Sequence, residues 1–192
     1  LWPLGLGEPG GEENAHSLLR ETRRGHQVDE HGPVRGFEAR LLDELADDDV
    51  VFLPDVGSPV VWASRYLTMN GRRRIIGSLS HGSMANAVTQ AVGAQAVDPA
   101  RQVVAMAGDG GLAMMLGELL SFVQNDLPVK TLVFDNDSLN FVELEMMAAG
   151  FVPFGTDLQN PDFAAIAERI RPGTVLPAPV GVFPRYVEPK TE

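Results

Sequence analysis

Two oxygen-bearing side chains, Asp109 and Asn136, follow the ends of two apolar runs, residues 103–107 and 129–134. The 27 positions between them are enough for one helix and one strand. In a parallel sheet this spacing returns the chain to the same edge, where both side chains can meet. Carboxylate and amide oxygens, completed by a backbone carbonyl and phosphate oxygens, form a shell that suits Mg²⁺. We therefore predict a divalent cation that bridges the protein to a diphosphate group.

The turn that carries Asp109 reads Gly-Asp-Gly-Gly and leads into a helix-like stretch, residues 112–120. Gly110 and Gly111 allow the backbone to approach a phosphate closely, and a helix N-terminus favours an anion. A nicotinamide site of the Rossmann type is the competing interpretation. We reject it because the turn does not continue as Gly-x-Gly-x-x-Gly and because Asp109 would then face a pyrophosphate without a metal.

Two other loops have weaker signals. Gly57 ends a strand-like run before a helix with Pro at its first turn, which is typical of a second phosphate loop and equally of a plain turn. His81 precedes a small-residue helix over residues 85–96 and could act as an acid–base group or as a structural hydrogen-bonding residue. Met84 could belong to the core or to a site.

The composition excludes several classes of protein. The net charge of −11 argues against sequence-independent binding of nucleic acid, and residues 72–74 form the one basic cluster. Cysteine is absent, so disulfides and thiolate metal sites are excluded. No apolar run is long enough to span a bilayer, and the start of the chain does not resemble a signal peptide. We expect a cytoplasmic protein.

The order of patterns along the chain predicts an α/β domain, a parallel sheet flanked by helices, over residues 34–170. Strand–helix units repeat about four times, and the strands are apolar enough to be covered on both faces. Residues 1–33 are interpreted as a linker or disordered segment, and the Pro-rich tail, residues 171–192, is left unassigned.

The Gly-Asp-Gly turn, followed at this distance by an Asn-containing strand end, resembles the motif of thiamine diphosphate enzymes. Three nearby sequence segments are similar to the pyruvate oxidase and quinone-linked pyruvate dehydrogenase branch of this family. They are Asp-Val-Gly-Ser-Pro at 55–59, His-Gly-Ser-Met-Ala-Asn-Ala at 81–87, and Pro-Val-Lys at 128–130. The resemblance covers roughly residues 36–167 and implies the pyrophosphate-type domain of the thiamine diphosphate-binding fold. Asp135 replaces the first Asn of the usual pair.

The resemblance implies a role for each matched position. The implied metal ligands are Asp109, Asn136 and the carbonyl of Ser138. Backbone N–H groups of the glycine loops would bind the diphosphate, at Gly57, Ser58, Gly110 and Gly111. The loop that holds the aminopyrimidine would be Gly82, Ser83 and Met84, with Met84 as an apolar wedge. The remaining contacts would come from Leu139 and Phe141 to the cofactor, and from Phe141 and Glu145 on the substrate side.

The implied activity is oxidative decarboxylation of pyruvate to acetate and CO₂, with FAD and a quinone as electron acceptors. The matching enzymes are homo-oligomers that also have pyrimidine-binding and FAD-binding domains, and the quinone-linked ones work at the inner face of the membrane. This chain resembles only the pyrophosphate-type domain, so we expect the chain alone to be inactive. The alternatives are a non-catalytic remnant or interaction module, and part of an acetolactate synthase-like lyase.

Overall fold

The computed structural model describes residues 37–170 and 180–183, which form a five-stranded sheet with helices on both faces. The strands are β1 (Val51–Pro54), β2 (Arg74–Ile75), β3 (Val103–Gly108), β4 (Lys130–Phe134) and β5 (Val180–Phe183). The helices are α1 (Phe37–Leu45), α2 (Ser58–Tyr66), α3 (Asn86–Val97), α4 (Asp109–Met114), α5 (Leu119–Gln124), α6 (Asn140–Ala148) and α7 (Phe163–Ile170). The predicted α/β fold class is therefore confirmed.

The strand order is β2-β1-β3-β4-β5, and every neighbouring pair is parallel. The chain runs outward from β1 to β2 and then returns to the other side of β1 to form β3. Open α/β sheets bind ligands beyond the carboxyl ends of the strands at such a reversal of strand order. The gap between the ends of β1 and β3 is therefore where this topology favours a site.

The two faces of the sheet bury separate apolar clusters. Alternate residues along β3 divide between them: Val103 and Ala105 contribute to one face, Val104 and Met106 to the other. The first cluster packs against α3, α4, α5 and α7, and the second packs against α1 and α2. This two-sided burial explains why the central strand β3 is a continuous apolar run.

Arg73, just before β2, ties this short edge strand to the end of α1. Its guanidinium donates to Asp43 Oδ1 at 2.6 Å and to the carbonyl oxygens of Asp43, Ala46, Asp47 and Thr68 at 2.8–3.2 Å. The side chain of Arg73 is only 9% exposed. Burial of this charge is offset because its donors all have acceptors.

Two features differ from the sequence prediction. The helix predicted over residues 112–120 is wrong as a single element, because α4 ends at Met114 and a 3₁₀ turn, Leu116–Glu118, precedes α5. Gly117 lies in that turn, and glycine is costly in a helix interior because it loses more backbone entropy than other residues. The strand β5 lies within the tail that the sequence left unassigned, whereas residues 1–33 lie outside the described residues.

Candidate functional site at the carboxyl ends of the strands

Asp109 begins α4 directly after β3 ends, and its carboxyl group is almost fully buried. Its Oδ1 accepts the N–H of Gly110 at 2.9 Å, and its Oδ2 accepts the N–H of Asn136 at 3.3 Å. The Asn136 backbone therefore lies beside the Asp109 carboxylate, and the expected meeting of the two side chains stays a prediction. The Gly110 N–H, which the resemblance assigns to a diphosphate, donates to Asp109 instead.

Asn160 is the residue on which the acidic side chains around Asp109 converge. Its Nδ2 lies 2.8 Å from Asp109 Oδ2, 2.8 Å from Asp135 Oδ1 and 3.2 Å from Asp137 Oδ1. An amide nitrogen carries two hydrogens, so three carboxylates share the two hydrogens of one weak donor. Three carboxylates around Asn160 Nδ2 would be stabilised by a positive charge larger than the partial charge of an amide.

The pKa of Asp109 is raised above its ordinary value. Burial is the main cause, and repulsion by Asp135 adds to it, while hydrogen bonds from Gly110, Asn160 and Asn136 act in the opposite direction. Desolvation disfavours the ionised carboxyl, and a nearby cation would favour it. A divalent cation bound here would therefore stabilise the ionised Asp109 carboxylate and oppose the effect of burial on its pKa.

The donor set of this edge fits Mg²⁺ chemically. A buried carboxylate and a neighbouring amide are oxygen ligands of the kind that Mg²⁺ accepts, with waters and phosphate oxygens in the remaining positions. Within residues 37–170 and 180–183, no three His, Cys, Asp or Glu side chains group together as a metal site. A cation bound at Asp109 would therefore depend on non-carboxylate and ligand oxygens to complete its shell.

The loop after β4 is held by its own hydrogen bonds. Asn136 Oδ1 accepts the N–H of Ser138 at 3.2 Å, and the Ser138 hydroxyl donates to Glu143 Oε2 at 2.9 Å. Asp137 has a positive φ of 53°, a turn conformation that Asp tolerates better than most residues. These bonds fix the chain direction between β4 and α6, so the predicted Ser138 carbonyl lies in an ordered turn.

The segment from Leu139 to Leu158, which contains α6, is closed at its base. Leu139 N–H donates to Thr156 O and Leu158 N–H donates to Asp137 O, each at 2.8 Å. No residue within α6 is buried. We call this the α6 segment, and its ends lie beside the proposed metal ligands.

Gly110 lies beneath three apolar side chains from different parts of the chain. A Cβ at this position would be 2.8 Å from Leu139 Cδ2 and 3.3 Å from both Leu158 Cδ1 and Met84 Cε. The structure thus brings together Gly110, Met84 and Leu139, three positions that the resemblance assigned to the cofactor. Met84 is only partly buried, so its side chain borders both the core and the loop surface.

The other two predicted loops have glycines in the left-handed region. Gly57 has a φ of 117° before α2, and Gly82 has a φ of 72° with no atom within 4 Å of the place where a Cβ would lie. Ser83 N–H donates to Ser78 Oγ at 3.1 Å, and Ser58 begins α2. Positive φ favours glycine at both positions, and the space beside Gly82 is open.

The predicted substrate-side residues lie on α6. Phe141 is 38% exposed and Glu145 is exposed. His81 is also exposed, and no hydrogen bond of its side chain is found in the described part of the chain. The catalytic roles of these three residues remain predictions.

Sequence reasoning missed two residues of the site, Asp55 and Asn160. Asp55 directly follows β1, as Asp109 follows β3, and the parallel between the two strand ends was a signal that could have identified it. Asn160 lies 51 positions from Asp109 in a loop with no periodic pattern, so no local signal marked it.

None of the helices in the described ranges is long and apolar enough to cross a membrane.

Comparison with known proteins identifies the domain. Residues 55–176 match the family model of the thiamine pyrophosphate enzyme C-terminal TPP binding domain. The chain is 36% identical over 127 residues to the thiamine pyrophosphate-containing protein YdaP of Bacillus subtilis, which covers 66% of this chain and 22% of YdaP.

Two kinds of named enzyme are also similar to this chain. The pyruvate oxidase of Lactiplantibacillus plantarum is 31% identical over 143 residues, 73% of this chain and 24% of that protein. Acetolactate synthase 2 of Zea mays is 30% identical over 123 residues, 64% of this chain and 19% of that protein. The chain thus matches about a quarter or less of the length of each of these relatives. It belongs to the family of thiamine pyrophosphate-dependent enzymes, of which it carries the C-terminal TPP-binding domain.

Proposed function

We propose that this domain holds the diphosphate of thiamine diphosphate through Mg²⁺ at the carboxyl ends of β1, β3 and β4. The observation that carries the proposal is the hydrogen bond from the Asn136 N–H to the Asp109 carboxylate, beside an amide that three carboxylates share. The buried Asp109 carboxylate would ligate the cation, together with the Asn136 amide oxygen and the Ser138 carbonyl. The cation would then replace the weak positive charge of the Asn160 amide.

The other predicted residues would orient the cofactor. Gly57, Ser58 and Gly111 would present backbone N–H groups to the diphosphate, and Gly110 would do so once the cation draws the Asp109 carboxylate away. Met84 and Leu139, which pack over Gly110, would form the apolar wall next to the cofactor, and Gly82 and Ser83 would border the aminopyrimidine. Thiamine diphosphate supplies the electron sink for decarboxylation of a 2-oxo acid, and the protein supplies position and electrostatics.

For the complete enzyme we propose oxidative decarboxylation of pyruvate to acetate and CO₂, with FAD and then a quinone as electron acceptors. The similarity to a pyruvate oxidase over 73% of this chain supports this choice. On the substrate side, Phe141 and Glu145 would face the bound 2-oxo acid when a second domain covers α6. The similarity to acetolactate synthases favours a second candidate, a lyase that joins the product of decarboxylation to another 2-oxo acid.

The partners we propose are the pyrimidine-binding and FAD-binding domains of the complete enzyme, in a homo-oligomer that docks at a membrane surface to reach its quinone. The apolar surface of the α6 segment supports a protein partner, because its large side chains are exposed: Phe141, Val142, Leu144, Met147, Phe151, Val152 and Phe154. A pyrimidine-binding domain seated there would cover this surface and enclose the cofactor.

Calorimetric titration of thiamine diphosphate into the 192-residue chain, with and without Mg²⁺, tests the site. We expect binding that requires Mg²⁺ and that Asp109→Ala abolishes. Asp98→Ala is the matched control, because Asp98 is exposed at the far end of α3, and it should bind as the wild type does. Equal binding by the wild type and Asp109→Ala would contradict the assigned site.

Product analysis of the complete enzyme distinguishes the two candidate reactions. Acetate and CO₂, formed with reduction of a quinone, would support the oxidase. Acetolactate formed without an external electron acceptor would support the lyase. Absence of turnover by an enzyme that still binds thiamine diphosphate would support a non-catalytic binding module.

A further inference from the structure

We propose that Asp55 is a positioning residue that fixes the relative positions of three loops of the cofactor site. The loops are residues 55–58 after β1, residues 84–87 at the start of α3, and residues 108–111 after β3. This role rests on the proposed function, because the same loops contain the glycines and the Met84 assigned to thiamine diphosphate.

The side chain of Asp55 joins two loops that are distant in the sequence. Its Oδ1 accepts the N–H of Ala87 at 2.9 Å, and its Oδ2 accepts the N–H of Gly108 at 3.2 Å. Its backbone continues the connection, since Asp55 N–H donates to Met106 O at 2.9 Å and Val60 N–H donates to Asp55 O at 3.1 Å. One residue therefore links β3, α2, α3 and the turn before Asp109.

The backbone of Gly111 packs closely against the same carboxylate. A Cβ on Gly111 would lie 2.1 Å from Asp55 Oδ2 and 3.0 Å from its Cγ, closer than any side chain could approach. The same Cβ would be 3.2 Å from the backbone nitrogen of Ala85. The second glycine after Asp109 is therefore required by contact with Asp55, in addition to any contact with a phosphate.

The position of Ala85 shows that the start of α3 is constrained. Ala85 has a φ of 62° although it is not glycine, and it is buried immediately before α3. Such a conformation is strained for a residue with a Cβ and persists where the surroundings determine it. The bond from Ala87 to Asp55, together with the packing of Ala85 against Gly111, provides that constraint next to Met84.

Asp55 is 1% exposed, so its carboxylate is shielded from solvent. Burial raises its pKa, and the three backbone N–H groups of Ala87, Gly108 and Asn86 oppose that shift. Among the described residues no cation pairs with this carboxylate, and desolvation disfavours its charge. Its hydrogen bonds to Ala87 and Gly108 at the junction of the cofactor loops indicate a role in placing those loops.

The test uses Asp55→Asn in the 192-residue chain, titrated with thiamine diphosphate and Mg²⁺ at a temperature where circular dichroism shows every variant fully folded. We expect at least a tenfold loss of affinity. An Asn side chain offers one oxygen, so its NH₂ group would oppose one of the two backbone N–H groups. The control is Asp43→Asn, which removes a carboxylate that accepts from Arg73 and Thr68 away from the cofactor loops. This control should lower the melting temperature and leave the affinity unchanged.

The outcomes separate this role from the proposed function. Wild-type affinity in folded Asp55→Asn would overturn the positioning role, since a merely structural residue would change only the melting temperature. No binding by the wild type would contradict the proposed function and the cofactor role together. Amide hydrogen exchange at Ala87 and Gly108 tests the junction independently of the cofactor. We expect both to lose protection in Asp55→Asn relative to Asp43→Asn, and unchanged protection would refute the junction itself.

Discussion

The side-chain amide of Asn160 donates to Asp109 Oδ2 at 2.8 Å, although 51 positions separate the two residues. The same nitrogen contacts Asp135 and Asp137. Asn160 thus supplies positive partial charge to a group of carboxylates that otherwise repel one another. A cation at this point would perform the same electrostatic task more strongly, so the amide and the cation have overlapping roles.

Removal of the Asn160 amide should lower the stability of the domain most when no cation is present. We expect Asn160→Ala to lower the free energy of unfolding by about 1–3 kcal/mol in metal-free buffer, because it removes hydrogen bonds to charged carboxylates. Saturating Mg²⁺ should restore most of the loss, which thermal denaturation with and without Mg²⁺ would measure. The control is Asn125→Ala, whose amide donates to Ser121 O at an exposed helix end. A melting-temperature loss that Mg²⁺ does not change would contradict the overlap of roles.

The raised pKa of Asp109 gives a pH dependence of defined sign. The folded state binds this proton more tightly than the unfolded state, so the Asp109 contribution to stability is present at acid pH and is lost as the pH rises through the folded pKa. Asp109→Asn does not titrate there. Its stability relative to the wild type should therefore improve as the pH rises from acid to neutral in metal-free buffer.

Urea denaturation of both proteins over a series of pH values measures this difference. Asp98→Asn, on an exposed carboxyl group, should follow the wild type throughout. If the stability of Asp109→Asn relative to the wild type fell as the pH rose, the assigned direction of the pKa shift would be wrong.

Alanine substitutions at three glycines should separate close contact from backbone entropy. Gly111→Ala should destabilise by about 3 kcal/mol or more, because its Cβ meets the fixed Asp55 carboxylate at 2.1 Å. Gly110→Ala should cost less, about 1–2 kcal/mol, because its contacts are the ends of flexible side chains. Gly93→Ala, in open space within α3, should stabilise by about 0.5–1 kcal/mol.

Equilibrium unfolding in urea would rank these three variants. If Gly110→Ala proved more damaging than Gly111→Ala, the close packing of Gly111 on Asp55 would be refuted.

The two neighbouring arginines before β2 should differ sharply. Arg73→Ala should cost about 3–5 kcal/mol, because it removes a buried cation that donates to the Asp43 carboxylate and to four carbonyl oxygens. Arg72→Ala should change stability by less than about 1 kcal/mol, since its ion pair with Asp48 is mostly exposed. Chemical denaturation measures both, and similar losses for the two variants would contradict the structural role of Arg73.

The parts of the fold that could be predicted are those set by local pattern. The run that became β3 is apolar throughout because both faces of the sheet are covered, and β4 is apolar from Leu132 to Phe134; that property is visible in the sequence. Likewise the residues of α1, Phe37–Leu45, place leucines at helical spacing, which is also visible in the sequence. The break between α4 and α5 is less visible, because apolar residues continue through it and only Gly117 marks the change.

The sequence predicted the site residues that follow the strands, and it did not predict the polar residues that hold them in place. Asp109 and Asn136 follow apolar strands, and the rules for parallel sheets bring such positions together. The partners of Asn160 depend on where a long connection returns, and the partners of Asp55 depend on how α3 packs on β1. Neither relation has a local periodicity. Tertiary structure alone reveals that these two polar residues organise the edge.

The α6 segment should separate from the rest of the domain without global unfolding. The segment closes on itself and on the preceding Asp137 through two backbone hydrogen bonds, and α6 itself buries no residue. Its separation from the domain would therefore expose little additional apolar surface and would cost far less free energy than global unfolding. Hydrogen exchange in α6 should thus be governed by a local equilibrium, while β3 and β4 exchange only with the whole domain. The surface beside Asp109 can be rearranged without loss of the strands that place its carboxylate.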